Sequence, residues 1–322
     1  MARIQGKTTT ERPQHFAGID VSKAYLDIRL SRERRAHRFT NDPAGFAALA
    51  AHLGAASHLI VLEPTGRYHH AIWKALAAAG HQVAPINPLH VRRFAESEGE
   101  LSKTDALDAA VLARMAVERQ PEAKAPPGEE QLRIKELTTS LADRIDRRAM
   151  LKAGRKEARD PLIAELGEAE IDLLDGAIDT LRAEIAGLID ADPARARSAE
   201  ILVSIPGIGV SSAHRIIADM PEIGTLNDKQ AGALLGAAPR ACESGKRKNR
   251  RRTKGGRRHL RAALHMPAIA AARANPDLKR FRQRLKAKGK PGPVITTAIV
   301  RKLIVLANAL VAQNRLWAPK TG

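Results

Sequence analysis

Two short apolar runs near the N-terminus, a few polar residues apart, constrain the fold of this chain more than any other feature. Phe16–Ile19 is the first and ends at Asp20; in the second, Tyr25, Asp27 and Arg29 alternate with Leu26, Ile28 and Leu30. Alternation with period two is the pattern of a half-buried strand, because successive side chains of a strand point to opposite faces. Strands joined by so short a turn pair antiparallel, and Arg35–Phe39 offers a third member of the meander.

Beyond the meander, strands and helices alternate. Asn41-Asp42-Pro43 opens a helix that runs to about Leu53, with proline in the first turn, where its missing N–H costs nothing. His58–Leu62 reads as a buried strand, Arg67–Ala79 as a helix stopped by Gly80, and Gln82–Ile86 as a strand broken by Asn87-Pro88. A last helix covers about Ser102 to Glu118. Strands separated by helices join a sheet in parallel. Residues 14–120 therefore predict an α/β domain with a mixed sheet covered by helices.

Gln120–Glu130 has the composition of a linker, and the chain beyond it is charged and helical, with a break near Asp160-Pro161. Leu174, Ile178, Leu181, Ile185 and Leu188 follow one another at steps of 4, 3, 4 and 3, a heptad seam. Such a seam serves an antiparallel hairpin, a coiled coil that dimerises, or a helix packed on its own domain, and spacing does not choose among them. Asp192-Pro193 marks a boundary. Residues 121–194 thus form a linker and helical connector, and residues 195–322 a mainly α-helical domain expected to stay helical to its end.

Charge separates these parts. The chain carries 54 Lys and Arg against 35 Asp and Glu, a net +19. Residues 195–322 hold 27 basic and 6 acidic side chains, whereas residues 121–194 hold 11 and 17. A block as basic as the last third calls for a polyanion, and nucleic acid is the natural one. Aromatic residues make up only 3% of the chain, so base stacking is not the main binding mode. No run of about 18 apolar residues indicates a membrane span, and Met1–Arg12 lacks the apolar core of a secretory signal. The single cysteine, Cys242, excludes an intramolecular disulfide and a thiolate zinc cluster.

Four carboxylates stand where a metal site can use them. Asp20 follows the first strand, Glu63 follows the apolar strand, and Asp105 and Asp108 sit three apart on one helix face. Each has an ordinary reading as well: Asp20 as a turn residue, Glu63 as a polar strand end, Asp105 as the third residue of a capping box begun by Ser102. Their order (a first-strand acid, a mid-sheet acid, then D-x-x-D on a helix) is what an RNase H-like nuclease core requires. Hard oxygen ligands suit Mg²⁺, or Mn²⁺. Two such ions about 4 Å apart clamp the attacking and leaving oxygens of a phosphodiester.

In the basic domain, Ile201–Val210 with its Pro206-Gly207-Ile208-Gly209 turn reads as a helix-hairpin-helix. Gly207 and Gly209 there let backbone amides approach a phosphate without reading sequence. Further on, Lys246, Arg247, Lys248, Arg250, Arg251, Arg252, Lys254, Arg257 and Arg258 put nine cations in thirteen residues, and Lys279–Lys290 adds seven in twelve. That density makes binding strongly salt-dependent. Ser244 and Cys242 precede the cluster. A serine hydroxyl is a poor nucleophile unaided, but flanking guanidinium groups stabilise the charge of a phosphoryl-transfer transition state.

The motifs GIDVSK at 18–23, LEPTGRYH at 62–69, SKTDALDA at 102–109, IPGIG at 205–209 and GAAPR…SG…GG..HLR between 236 and 261 resemble those of the IS110 family of DEDD transposases, RNA-guided serine recombinases, over nearly the whole chain. The resemblance implies a RuvC-like (RNase H-like) domain, a coiled-coil connector and a C-terminal transposase domain. It puts the DEDD carboxylates at Asp20, Glu63, Asp105 and Asp108 and the catalytic serine at Ser244. It further implies a phosphoserine intermediate on donor and target DNA and Mg²⁺ assistance, from the RuvC-like domain of another protomer. A structured guide RNA and a dimer or tetramer assembled through the coiled coil belong to the same picture, as does a cytoplasmic, nucleoid-associated setting without a membrane. Two other readings stay open on the residues: a RuvC-like nuclease that hydrolyses branched DNA with water, and a nucleic-acid binder without catalysis.

Overall fold

The computed structural model describes residues 15–99, 105–240, 243–244, 247–248, 252–253 and 255–319, with backbone alone at 105–107, 240, 243–244, 247–248 and 252. The chain divides into two compact units, Met1–Pro127 and Gly128–Gly322.

The first unit runs β1 (His15–Val21), β2 (Tyr25–Leu30), β3 (His37–Thr40), α1 (Pro43–Leu53), β4 (His58–Leu62), α2 (His69–Ala78), β5 (Gln82–Pro85), α3 (Pro88–Ser97) and α4 (Asp105–Arg119). Its sheet has the order β3-β2-β1-β4-β5. The meander β1–β2–β3 is antiparallel, and β4 and β5 join parallel to β1, as the spacing of strands and helices predicts. All five residues of β4 are buried, the mark of a strand covered on both faces. On one face Ala17, Ile19, Leu26 and Ile28 pack on Leu49, Ile72 and Leu76 of α1 and α2. On the other, Leu59, Val61 and Ala84 pack on Phe94 of α3 and Leu112 of α4. Helix α3 is absent from the sequence reading, which takes Asn87-Pro88 as a breaker. The same dipeptide starts the helix: the Asn87 side chain accepts the Leu89 N–H at 2.9 Å, and Pro88 occupies the first turn.

The second unit opens with α5 (Glu129–Glu157) and α6 (Pro161–Asp190), parted at the expected break, where the Asp160 side chain caps α6. Cross-helix ion pairs Arg133–Glu184, Arg148–Asp175 and Arg155–Glu168 show the two to be an antiparallel hairpin. The heptad seam is used within the chain. Ile178 and Ile185 are fully buried and share one core with Ile134 and Leu141 of α5, while Leu181 and Leu188 pack partly buried against it. Next come α7 (Pro193–Ser204), α8 (Val210–Asp219) and α9 (Asp228–Leu234). The expectation of helix to the end then fails. Among the described residues small ribbons intervene, β6 (Pro239–Arg240) with β9 (Arg252–Thr253) and β7 (Glu243–Ser244) with β8 (Arg247–Lys248). The chain ends with α10 (Arg258–Ala263), α11 (His265–Ala274), α12 (Pro276–Ala287) and α13 (Gly292–Ala312).

Helix α13 is long and apolar enough to cross a membrane, although Arg301 and Lys302 interrupt its apolar run. Its buried side, including Ile299, Leu303, Ile304, Ala307 and Leu310, belongs to the core shared with α7 and α11.

Candidate functional site

The acidic residues of the first unit are placed by strand register. Ile19 of β1 pairs with Leu62 of β4, so Asp20 and Glu63 stand side by side, each one residue further on. The Glu63 N–H donates to the Ile19 carbonyl at 3.4 Å. Alternation puts Asp20 on the face of Gly18, and Glu63 on the face of Leu59 and Val61. Helix α4 covers that face. It lies so close to β1 that a Cβ built on Gly18 would sit 2.2 Å from the Ala113 nitrogen and 2.5 Å from the Ala109 oxygen.

The direction of α4 follows from its other end. Ala113, Arg114, Val117 and Glu118 line a cavity of about 220 Å³ with Arg29 and Ser31, at the end of the sheet where β1 begins. The N-terminal turn of α4, with Asp105 and Asp108, therefore points to the end that carries Asp20 and Glu63. Asp20, Glu63 and Asp108 are each half-buried, and Asp105 is described by its backbone alone. Residues 101–104 lie outside the described residues.

Two loops at this end are tied together by Asn41, whose side-chain amide donates to the Ser22 carbonyl at 2.8 Å and the Tyr68 carbonyl at 3.2 Å. Ser22 itself closes the β1–β2 turn, accepting the Tyr25 N–H at 3.0 Å. A fifth carboxylate escapes the sequence reading. Asp27 pairs with Asp20 across β1 and β2 and is buried. Arg38 neutralises it with two hydrogen bonds of 2.9 and 3.0 Å, the fork geometry of a strong charge-assisted pair. The signal was present: Asp27 is the acid on the polar side of an otherwise apolar alternation.

Ser244 lies in the second unit, in β7, paired with Arg247 of β8. The segment that carries it leaves and rejoins the helices at a narrow neck. Gly236 and Gly256 have φ of +72° and +70°, and a Cβ on Gly256 would sit 2.2 Å from the Gly236 nitrogen. Arg261 locks this neck by donating to the carbonyls of Leu235, Gly236 and Gly255 at 3.2, 3.0 and 2.9 Å. Arg261 closes the HLR motif, but its part in the crossing is invisible in the sequence, since both depend on contacts between segments.

Of the cations named above, Arg247, Lys248 and Arg252 are described by backbone alone, and Lys246, Arg250, Arg251 and Lys254 lie outside the described residues, as do Cys242 and Gly245. Arg257 is engaged, donating to both oxygens of Glu222 at 2.7 Å. Arg258 is exposed and lines a groove of about 560 Å³ with Arg261, His265, Met266 and Thr297. Arg282, Lys286 and Lys290 line a second groove of about 420 Å³. A third of about 700 Å³, holding Arg301 and Lys302, reaches Pro239 and Thr253 of the ribbon. The grooves around α13 therefore carry the positive charge that the composition predicts.

The two glycines of the α7–α8 turn differ. Gly207 has φ of +103°, and its missing Cβ lets α11 approach, since an added carbon would meet the Ala271 nitrogen at 2.4 Å. Gly209 caps α8, is exposed, and has open space around it. Behind it, burial holds the His214 imidazole below its ordinary pKa.

Residues 17–156 match the DEDD transposase family of IS110 elements, and residues 199–283 match the Transposase IS116/IS110/IS902 family. A pilin gene-inverting protein of Moraxella bovis is 30% identical over 317 residues, covering 93% of this chain and 96% of that protein. Its counterpart in Moraxella lacunata is 29% identical over the same length and shares. An insertion element IS900 uncharacterized 42 kDa protein of Mycobacterium paratuberculosis is 27% identical over 150 residues, 45% of this chain and 37% of that protein.

Proposed function

This chain belongs to the IS110 family of insertion-sequence transposases, and from that premise we propose that it cuts and rejoins donor and target DNA through Ser244. In this reading the first unit is RNase H-like, or RuvC-like, and Asp20, Glu63, Asp105 and Asp108 hold divalent metal, Mg²⁺ or Mn²⁺. The observation that carries the reading is the arrangement of Asp20, Glu63 and the start of α4 at one end of one sheet face. The donor set is all oxygen, and its described side chains, Asp20, Glu63 and Asp108, are half-buried, which fits a hard cation. When bound, that cation supplies charge stabilisation for the phosphodiester oxygens.

The chain's own residues do the rest. The Ser244 hydroxyl loses its proton and attacks phosphorus; a phosphoserine ester forms, the bond to the deoxyribose oxygen breaks, and that oxygen leaves as a hydroxyl. The reverse attack by a new strand end restores the serine. Relatives named for inverting a gene favour rejoining over simple hydrolysis, because an inversion leaves no free ends. Basic grooves around α13 and the exposed turn at Gly209, read as a helix-hairpin-helix, grip phosphates without sequence preference. Sequence choice then falls to a structured guide RNA.

Oligomerisation fits the far end of the α5–α6 hairpin. Met150, Leu162, Ile163, Leu166 and Leu173 are between 58% and 78% exposed there, although the heptad seam is buried within the chain. The coiled-coil contact between protomers therefore uses this end, and one protomer's carboxylates serve another's serine. In functional terms we divide the chain into a metal-binding part, residues 14–120, a connector, residues 121–194, and a transposase part, residues 195–322, the last two packed in one compact unit from Gly128 onward. The test is strand cleavage and exchange on labelled donor and target DNA with the element's flanking RNA and Mg²⁺. Asp20→Asn and Glu63→Gln are each expected to abolish activity while leaving DNA binding intact. Unchanged cleavage in both would overturn the metal assignment.

A further inference from the structure

The opposite end of the first unit holds a second cluster of ligating groups. Glu33 lies in the β2–β3 loop, His37 begins β3, and His52 lies in the last turn of α1. Because Ala17 pairs with Leu30 and Val21 with Leu26, this loop sits where β1 begins, at the far end of the sheet from Asp20 and Glu63. One oxygen and two imidazole nitrogens from these residues lie within 4.8 Å of one another. The Glu33 Oε2 is 3.2 Å from His37 Nε2 and 3.6 Å from His52 Nε2. Zinc bonds of 2.0–2.2 Å to N and O give a tetrahedron with edges of about 3.3 Å, and the two distances bracket that edge. Neither contact is a hydrogen bond: Glu33 Oε2 and His52 Nε2 are both shielded from solvent and have no hydrogen-bond partner.

We propose that Glu33, His37 and His52 form a binding site for a borderline transition-metal ion, Zn²⁺ foremost, that clasps the edge strand β3 to the end of α1. Two imidazoles and one carboxylate suit Zn²⁺ and disfavour Mg²⁺, which takes all-oxygen shells. Three protein ligands leave a fourth position for water. The end of α1 presents the negative pole of its helix dipole, which favours a cation. Arg32, Arg34 and Arg35 are exposed, so solvent and salt screen their opposing charge. This site is independent of the carboxylates assigned to DNA chemistry, and its fate does not decide theirs.

The test uses the full chain without a histidine tag, titrated with Zn²⁺ by calorimetry and with Co²⁺ by visible absorption. The expected result is one equivalent of Zn²⁺, undiminished by millimolar Mg²⁺, and intense tetrahedral Co²⁺ bands. Glu33→Gln, His37→Gln and His52→Gln each weaken that equivalent at least about 10-fold, the loss that even outer-shell partners bring. His90→Gln, an exposed histidine on α3, leaves it unchanged. Far-UV circular dichroism confirms that each variant is folded. No stoichiometric Zn²⁺ in the wild type, or the same affinity in folded Glu33→Gln and His52→Gln, would overturn the site.

Discussion

Gly18→Ala offers the sharpest probe of how the acidic residues are brought together. Gly18 has ordinary backbone angles, so the substitution strains nothing locally; its whole effect comes from the missing Cβ. That carbon would stand 2.2 Å from the Ala113 nitrogen, 2.5 Å from the Ala109 oxygen and 2.6 Å from the Leu112 carbonyl carbon, all helix backbone. Backbone of a packed helix cannot swing aside as a side chain can. Restoring ordinary contact moves α4 away from β1 by roughly 1 Å, and Asp105 and Asp108 travel with it. Overpacking of this kind costs about 1–3 kcal/mol, which for a unit of this size lowers Tm by roughly 3–10 °C. A displacement of about 1 Å within a catalytic constellation costs on the order of 100-fold in rate. The assay pairs thermal melting with the strand-exchange rate, measured well below the melting point. A variant that melts like wild type and recombines at full rate would refute the packing of α4 on β1. One that is less stable but fully active would refute the claim that α4 positions the site.

Three further outcomes follow from the same structure. Gly256→Ala forces a side chain onto φ of +70° at the neck of the Ser244 segment, and strand exchange should fall below detection while low-salt DNA binding, read by filter retention, persists. Gly187→Ala, on the exposed side of α6 with open space around it and away from the hairpin's exposed end, should stabilise the second unit by about 0.5–1 kcal/mol in denaturant melts and leave activity unchanged. His58, His81 and His214 are held below their ordinary pKa by burial, so the unfolded chain takes up protons first as pH falls below 6.5. Stability should therefore be level above that pH and decline below it, and His81→Gln should flatten the decline in Tm between pH 7 and 5.

Local pattern carried the sequence reading a long way. The alternation of Tyr25–Leu30, the apolar run His58–Leu62 and the Asp160-Pro161 break each announce their element within a few residues, and all three appear in the fold. Asp20 and Glu63 were legible because each stands at the end of a recognisable strand, Asp20 within the last two residues of β1 and Glu63 just beyond β4, so register alone sets them side by side. Helix α3 was not, because Asn87-Pro88 signals both the end of a strand and the start of a helix. The ribbons around Ser244 were hidden by the charge run they sit in, which carries no apolar alternation. What the sequence could not express at all is pairing at a distance. Arg257 looks like one cation among nine until Glu222, thirty-five residues upstream, is found holding it. Glu33, His37 and His52 have no telling spacing and converge only because α1 runs back along the meander.

The central claim is that Ser244 itself bonds to DNA, and the most direct measurement is a covalent trap. Wild type, Ser244→Ala and Asp20→Asn are incubated with end-labelled donor and target DNA, the element's flanking RNA and Mg²⁺, then run on denaturing gels. The account predicts a labelled protein–DNA band in wild type that is lost in Ser244→Ala, with the label mapped to the peptide containing Ser244. Cleavage that continues in Ser244→Ala without any adduct, and stops in Asp20→Asn, would contradict it and leave a metal nuclease that uses water.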